Sequence, residues 1–402
     1  MKILYIATSF PHPKKGSTIY TDLAEELVSC GHEVVVVVSQ ERKYGKHTQW
    51  SNERGMRVLR VKTGNIYDVS FIEKGGSMIT LQYYITKAIN QYLDKFKFDL
   101  ILYESPPVTN AGIVEYAKKK FNSKTYLMLK DIFPQNAVDI NLIKKNSLIY
   151  KYFKNKEKQL YNISDRIGCM SEGNKKYILT HNSFICNDKV EVFPNTKKVK
   201  YDFQEIDVRR IREKYNIPLD TVVFLFGGNM GKPQGIDFLC EAIKQLREEK
   251  NIFFLLIGRG TERETIKSFF KNNNCHNALL VDNLPRDEYE VVTRACDVGL
   301  VLLDSKFTIP NYPSRILSYM EYSMPVLAAT DTNTDFRDLI VESKCGKWVS
   351  SDNLLGFCSE IKELSSDESL RNNLGANGRQ YLELYFDVKK SVEIIEKIVE
   401  MN

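Results

Sequence analysis

The chain has 402 residues, of which 43% are hydrophobic and 27% are charged, and its formal net charge is +6. This composition indicates a globular protein of two or three domains and excludes a disordered or collagen-like chain. The apolar runs, such as Val34 to Val38, are much shorter than the roughly 20 residues of a membrane-spanning helix. No signal peptide precedes the first apolar run, and the eight cysteines form no Cys-x-x-Cys pair. We therefore expect a soluble, intracellular protein with reduced thiols.

In the first half, apolar runs alternate with helical patterns. The run from Lys2 to Thr8 predicts a strand, and a loop rich in Pro, Lys and Gly leads to an amphipathic helix over Thr18 to Cys30. Gly31 ends this helix before a buried strand that reaches Val38. This order of elements is typical of a parallel α/β sheet. Further strands are predicted at 56–61, 99–103, 125–129, 165–170 and 190–193, with a helix over 113–121.

The second half has the same architecture and follows a polar, basic linker. A strand at Val222 to Phe226 leads through the Gly-rich loop Gly227 to Gly235 into a helix over Ile236 to Glu249. Another helix is predicted to start at Ser314, after Pro313, with the serine as its cap. Further strands are predicted at 252–257, 278–281, 298–303 and 325–329, and a final helix over 388–401. The sequence thus predicts two doubly wound parallel sheets in tandem.

Ligands of open parallel sheets bind beyond the carboxyl ends of the strands, so the loops there are candidate sites. The loop Gly227 to Gly235 and the turn Ile257 to Arg263 both lead from a strand into a helix. Backbone amides at such a helix start, with Lys232 nearby, attract phosphate, although an ordinary tight turn is the alternative. Arg315 beside the predicted start at Ser314 would add a charge to a second anion site.

In the first half, the loop from Phe10 to Thr18 contains one glycine, Gly16, and lacks the dinucleotide-binding fingerprint. Glu104 and Asp131 each come just after a predicted strand, where catalytic polar groups collect. We interpret both as contacts to a sugar hydroxyl or an acceptor, with a helix cap as the alternative for Asp131.

Several motifs are absent from the sequence. No two aspartates stand two residues apart, the five histidines are not paired at metal-binding spacing, and no Gly-x-Ser-x-Gly sequence occurs. The pattern favours an enzyme that handles phosphate without a metal ion.

Several segments together resemble the retaining glycosyltransferases of family four, which have the GT-B architecture of two Rossmann-like domains facing across a cleft. The resemblance covers nearly the whole chain. It rests on the Gly16 loop with GHEVVVVV after its helix, LKDIFPQNAVD, VFPNT, GGNMGKPQGIDFLCEAI, LLIGRGTER, VDNLPRDEY and PSRILSYMEYSMPVLA. Within the family, the chain is most similar to transferases of N-acetylated deoxyhexosamines, such as N-acetylfucosamine, in capsule and O-antigen assembly.

The resemblance implies a domain over residues 1–195, joined by the helix 388–402, that binds the acceptor, and a domain over 200–384 that binds the nucleotide-sugar. It implies a UDP-sugar as substrate, no cofactor, no metal and a lipid-diphosphate-linked acceptor. The donor-binding residues would be Gly228, Asn229, Lys232, Gln234, Gly258, Leu284, Pro285, Ser314 and Arg315. The acceptor-binding residues would be Gly16, Ser17, Glu104 and Asp131, and the catalytic residues Asp131, Lys232 and Arg315.

The chain departs from the family pattern at two places. Many members carry two glutamates eight residues apart, and Pro310 and Ser318 stand at those positions here. Many also carry an arginine and a lysine that hold the diphosphate, where this chain has Asn229 and Gln234. Two alternatives therefore stay open: a nucleotide-sugar 2-epimerase of the same fold, and a non-catalytic, membrane-associated assembly partner.

The charge is divided unevenly. Residues 1–197 contain 30 Lys and Arg against 19 Asp and Glu, a net +11, whereas the remainder carries −5. Such a basic half favours an anionic partner, and the absence of interleaved aromatic platforms argues against nucleic acid. We expect peripheral association with the anionic inner face of the cell membrane, with a lysine-rich soluble surface as the alternative. The basic and aromatic candidates are Lys14, Lys15, Arg42, Lys43, Lys46, Lys144, Lys145, the run Lys151 to Lys158, Tyr150, Tyr152 and Phe153.

Overall fold

The computed structural model describes residues 1–66 and 69–400. The chain divides into two compact units, one formed by Met1–Lys198 with the segment from Val388 onward, and the other by Val199–Asp387. Each unit is built on one mainly parallel sheet whose strands are connected by helices. The predicted pair of doubly wound parallel sheets is confirmed.

The first unit contains an eight-stranded sheet in the order β3-β4-β2-β1-β5-β6-β7-β8. Neighbouring strands are parallel except β3 and β4, which form an antiparallel hairpin. The strands are β1 (Lys2–Ala7), β2 (Glu33–Glu41), β3 (Gln49–Glu53), β4 (Met56–Thr63), β5 (Leu100–Ser105), β6 (Lys124–Leu129), β7 (Arg166–Cys169) and β8 (Val190–Val192). The helices are α1 (Ile19–Ser29), α2 (Phe71–Tyr92), α3 (Ala111–Phe121), α4 (Gln135–Asp139), α5 (Leu148–Ile163) and α6 (Glu172–His181).

The second unit contains a six-stranded, all-parallel sheet in the order β11-β10-β9-β12-β13-β14. The strands are β9 (Val222–Asn229), β10 (Ile252–Arg259), β11 (Ala278–Val281), β12 (Val298–Leu302), β13 (Val326–Thr330) and β14 (Gly346–Ser350). The helices are α7 (Val208–Lys214), α8 (Ile236–Gln245), α9 (Arg263–Asn272), α10 (Arg286–Arg294), α11 (Ile316–Glu321), α12 (Phe336–Ser343), α13 (Leu354–Ser366) and α14 (Glu368–Tyr385).

Two of the predicted boundaries are wrong, and a third lies outside the described residues. The helix predicted over Ile236 to Glu249 ends at Gln245, because the next residues form a tight turn in which the Glu249 amide donates to the Leu246 carbonyl at 3.1 Å. Glu104 lies within β5, which continues to Ser105, and therefore does not follow the strand. The final helix is described from Val388 to Glu400, so its predicted end at Met401 lies outside the described residues.

The final helix, α15 (Val388–Glu400), packs on the first unit. Its side chains Val388, Val392, Ile395 and Ile398 join the core that β1, β2 and α1 form. The Val388 amide donates to the Lys197 carbonyl at 2.9 Å. The start of α15 therefore lies beside the segment in which the chain passes from the first unit to the second.

We predict that Ile395→Ala destabilises the first unit. The side chain is fully buried, and removing it leaves a cavity that costs about 2–5 kcal/mol. Lys390→Ala on the exposed face of the same helix is the control and should change stability by less than about 0.5 kcal/mol. Urea denaturation of both variants measures the difference, and equal midpoints would contradict the packing of α15.

Candidate active site

Glycines at the carboxyl ends of β9 and β10 leave no room for a side chain. A Cβ atom on Gly258, where φ is +150°, would lie 1.9 Å from the Gly228 carbonyl oxygen of the neighbouring strand. A Cβ atom on Gly227 would lie 1.9 Å from the Tyr289 hydroxyl. Glycine is therefore required at these positions, because a side chain would clash with Tyr289 or with the neighbouring backbone.

The loop after β9 leads into α8 without a side-chain cap. A short turn, Lys232–Gln234, is followed by Gly235 at φ +56°, and no side chain caps the first amides of the helix. Two backbone bonds hold this loop to the one after β10: the Met230 amide donates to the Arg259 carbonyl at 2.8 Å, and the Glu262 amide donates to the Met230 carbonyl at 2.9 Å. The open helix start is a favourable position for an anion.

Arg315 reaches this loop from the start of α11. Its guanidinium lies 4.5 Å from the centre of the Phe226 ring, and Nη2 donates to the Gln234 side-chain oxygen. Nη1 is buried and has no hydrogen-bond partner within the described parts of the chain, where no carboxylate forms a salt bridge with Arg315 either. Burial lowers the pKa of the guanidinium, and the nearby Tyr319 and Tyr289 oppose this shift. Arg315 is thus half-buried as a residue, and its Nη1 is a buried donor without a partner among the described residues.

The other predicted donor residues differ in position. Asn229 is the exposed last residue of β9, and Lys232 is exposed on the loop that follows. Leu284 and Pro285 lie between β11 and α10, and no described contact joins them to Arg315, although α10 carries Tyr289, which contacts Gly227.

The predicted role of Ser314 as a helix cap is wrong. The first residue of α11 is Ile316, and Arg315, which precedes it, adopts a helical backbone conformation without a side-chain cap. The amides of Leu317 and Ser318 donate to the carbonyls of Ser314 and Arg315, so the segment enters α11 through a tight turn. The exposed Ser314 hydroxyl can still contact a ligand.

In the first unit, Glu104 is a buried carboxyl group at the end of β5. One oxygen accepts from the Thr8 amide at 2.5 Å, and the other has no hydrogen-bond partner among the residues that are described. The Tyr5 and Thr8 hydroxyls are likewise buried without a partner there. Burial raises the pKa of Glu104 to about 7, although the bond from the Thr8 amide opposes the shift.

Asp131 follows the neighbouring strand, β6. It accepts from the Ile132 amide at 2.8 Å and from the Asn136 side chain, and it does not cap a helix, because α4 starts only at Gln135 after Pro134. Burial raises the pKa of Asp131 to about 6, against the effect of these two bonds.

Two residues that the sequence analysis did not select complete this cluster. Burial lowers the pKa of Lys130 to about 7, although electrostatic interactions with Cys169 and Glu104 oppose the shift. Burial also raises the pKa of Tyr20, and the charges of Glu104 and Asp131 reinforce this effect. Lys130 could have been found from the sequence, because it immediately follows a predicted strand.

Gly16 and Ser17 lie on the loop before α1, the helix that carries Tyr20. Gly16 has φ +98° and closes a short turn over Pro13–Lys15. Thr18 then caps α1 through reciprocal bonds with Thr21. The predicted acceptor residues thus belong to the first unit and the predicted donor residues to the second.

Among residues 1–66 and 69–400, no group of three or more His, Cys, Asp or Glu side chains is placed to hold a metal ion.

Two family models match the chain in succession. Residues 16–196 match the model described as Glycosyltransferase Family 4, and residues 207–381 match the model described as Glycosyl transferases group 1. The chain has the two-domain fold of these glycosyltransferases. Its glycosyltransferase fold is also found in the structure of HepE from Anabaena in complex with UDP-glucose. That structure superposes with a TM-score of 0.72 and 14% identity over 100% of both chains.

Relatives with similar sequences are named as glycosyltransferases, one of them for colanic acid biosynthesis. WbjE of Pseudomonas aeruginosa, named a probable glycosyltransferase, is 27% identical over 233 residues, which is 56% of this chain and 55% of WbjE. WcaI of Escherichia coli (strain K12), named for colanic acid biosynthesis, is 20% identical over 359 residues, 84% of this chain and 86% of WcaI. The match with WbjE spans little more than half of that protein.

We predict that Glu104→Gln makes the first unit less sensitive to rising pH. The folded protein holds the Glu104 proton up to about pH 7, whereas the unfolded chain releases it near 4.5, so wild-type stability falls between these values. Glutamine removes this cost, and its carbonyl oxygen can keep the bond from the Thr8 amide. The free energy of unfolding of the variant, relative to wild type, should rise by about 2–3 kcal/mol from pH 5 to pH 8.

Urea denaturation across this pH range gives the measurement. Glu115→Gln is the control, because a hydrogen bond from Lys119 lowers the pKa of that carboxyl and the rise should therefore be absent. Parallel stability curves for Glu104→Gln and wild type would show that Glu104 does not titrate as a buried acid.

Proposed function

We propose that the protein is a retaining glycosyltransferase of capsule or O-antigen synthesis. It transfers a sugar from a UDP-sugar to a lipid-diphosphate-linked sugar, and the proposed sugar is an N-acetylated deoxyhexosamine. The observation that carries this proposal is Arg315, a buried guanidinium with an unpartnered Nη1 and no carboxylate partner among the described residues. A buried charge without a partner is unfavourable, so the site suits a ligand that brings the opposite charge.

The donor diphosphate fits this site by chemistry. Arg315 supplies a charge-assisted donor, Lys232 a second charge, and the uncapped start of α8 backbone amides. The UDP-glucose complex of the structurally similar HepE supports a UDP-sugar as donor, and the name of WcaI supports a role in polysaccharide synthesis.

The reaction needs stabilisation of the departing diphosphate. In the proposed mechanism, Arg315, Lys232 and Ser314 bind the diphosphate while its negative charge grows, which lowers the barrier without a metal ion. Asp131, whose pKa of about 6 suits proton transfer near neutral pH, contacts the acceptor hydroxyl, and Glu104 orients the acceptor. An α-linked UDP-sugar would give an α-linked product.

A nucleotide-sugar 2-epimerase is the second candidate. The cluster of Glu104, Lys130 and Asp131, with pKa values between about 6 and 7, provides the acid–base groups that such an enzyme needs. Incubation with UDP-sugars separates the two functions. A transferase slowly hydrolyses its UDP-sugar when no acceptor is present and so releases UDP. If no metal ion is needed, a chelator leaves this release unchanged. An epimerase changes the sugar and releases no UDP, and a non-catalytic partner does neither.

We predict that Arg315→Met weakens UDP binding without destabilising the free protein. Loss of a charge-assisted bond costs about 1.5–3 kcal/mol, or roughly 10- to 150-fold in Kd. Since methionine removes an unpartnered buried charge, the free energy of unfolding should stay equal or rise by about 1 kcal/mol or more.

Calorimetry with UDP and urea denaturation measure the two effects, and Arg209→Met, at an exposed arginine of α7, is the control. Unchanged UDP affinity in Arg315→Met would exclude Arg315 from the donor site.

Membrane association is proposed from the surface around α5. Leu148 is 84% exposed, and Leu142, Ile149 and Tyr152 are also exposed, next to Lys144, Lys145 and Lys151. Exposed apolar side chains among lysines are typical of an interfacial segment that binds anionic lipid. No helix within the described ranges is long and apolar enough to cross a bilayer.

We predict that the protein sediments with phosphatidylglycerol vesicles at low salt and is released at high salt, because screening weakens the attraction to anionic lipid. The double substitution Leu148→Glu with Ile149→Glu should abolish sedimentation. Leu355→Glu, at a 77% exposed leucine of α13, is the matched control and should sediment normally. Sedimentation that is independent of these residues and of salt would contradict the proposal.

A further inference from the structure

The β3–β4 hairpin contacts both ends of the loop that precedes α1. We call residues Thr8–Thr18 the Gly16 loop. Arg60 of β4 donates from Nη2 to the Phe10 carbonyl at 3.0 Å, near the start of this loop, and Arg54 in the hairpin turn donates to the Gly16 carbonyl near its end. Two arginines from one hairpin thus bind the loop on either side of its exposed tip.

Arg60 is itself held rigidly. Its Nε and Nη2 donate to the two oxygens of Glu53 at 2.8 and 2.7 Å, and Ser51 donates to the same carboxylate at 2.5 Å. Burial would raise the pKa of Glu53, but the bonds from Arg60 and Ser51 outweigh burial and lower it. The carboxylate is therefore ionised, and the paired guanidinium has one fixed orientation toward Phe10.

Arg54 occupies an unusual backbone position. The two-residue turn Arg54-Gly55 has φ values of +54° and +79°, which favour Asn-Gly rather than a residue with a long side chain. The Arg54 side chain is nevertheless only 6% exposed and forms an ion pair with Glu25 of α1 in addition to its bond with Gly16. An unfavourable conformation that places a buried side chain in this way suggests a role for that side chain.

We propose that Arg54 and Arg60 are positioning residues that hold the Gly16 loop in the shape that binds the diphosphate of the acceptor. This inference rests on the proposed function, which assigns the loop to the acceptor. Each arginine is neutralised by a glutamate, so neither supplies net charge to a ligand. The charge at the loop is that of Lys14 and Lys15, exposed at its tip, and the hairpin determines where that tip lies.

Amide hydrogen exchange of the full chain tests the positioning directly. In Arg54→Ala and Arg60→Ala, amides of residues 9–18 should exchange about 10-fold faster or more, the effect expected from losing one charge-assisted bond. The lysine substitutions Arg54→Lys and Arg60→Lys keep the charge opposite Glu25 and Glu53 and should show smaller increases. They separate a loss of positioning from misfolding of the hairpin. Arg57→Ala is the matched control, because Arg57 lies on β4 but stacks on Trp50 and Phe96, away from the loop.

Calorimetry with farnesyl diphosphate, a soluble probe for the lipid diphosphate, tests the consequence. The alanine variants of Arg54 and Arg60 should bind it about 10-fold more weakly, and the lysine variants should lose less affinity. The affinity of all four variants for UDP, and that of Arg57→Ala for both ligands, should stay within about 2-fold of wild type.

Each outcome decides a separate claim. Unchanged exchange at residues 9–18 overturns the positioning role. Faster exchange with unchanged farnesyl diphosphate affinity, or no binding of this probe by the wild type, overturns the assignment of the loop to a diphosphate. A wild type that binds no UDP and releases none from UDP-sugars refutes the proposed function instead, and the exchange data still decide whether the arginines hold the loop.

Discussion

A guanidinium group that is buried needs a negative partner, and Arg315 in the second unit has none within the described parts of the chain. The features around it follow from this constraint. Phe226 contacts the face of the guanidinium, and Gln234 accepts one of its hydrogen bonds. Nη1 stays buried without a partner among the described residues, and the proposed diphosphate would supply one. Gly227 and Gly258 keep the neighbouring strand ends free of side chains, and a Cβ atom on Gly228 would lie 3.9 Å from Nη2 of Arg315, so the strand end and the guanidinium are close together.

The first unit has the opposite chemistry. Its strand ends carry carboxyl groups that burial keeps partly protonated near neutral pH, with Lys130 partly neutral beside them. Groups that titrate near neutral pH can transfer protons and hydrogen-bond to hydroxyl groups, whereas the second unit offers fixed positive charge. The division of chemistry between the two units is what a two-substrate transferase requires. The same titrating groups are also the reason for keeping the epimerase as an alternative.

The strands that are buried on both faces could be predicted from the sequence. Val34 to Val38 and Ile252 to Ile257 are short, continuous apolar runs, which are typical of strands buried in a parallel sheet. The strands β3 and β14 could not, since QWSNE and GKWVS are short, polar and only partly buried. Arg315 was predictable from its place beside a helix start, although the start itself differs. The contact of Arg54 with Gly16 joins residues 38 positions apart and depends on a hairpin that the pattern did not predict.

A crystal structure of the protein with UDP bound would test the account most directly. The account predicts that the β-phosphate lies within hydrogen-bond distance of Arg315 Nη1, with the other phosphate oxygens toward Lys232 and the first amides of α8. A diphosphate bound elsewhere, with Nη1 of Arg315 still buried and unpartnered, would contradict the account.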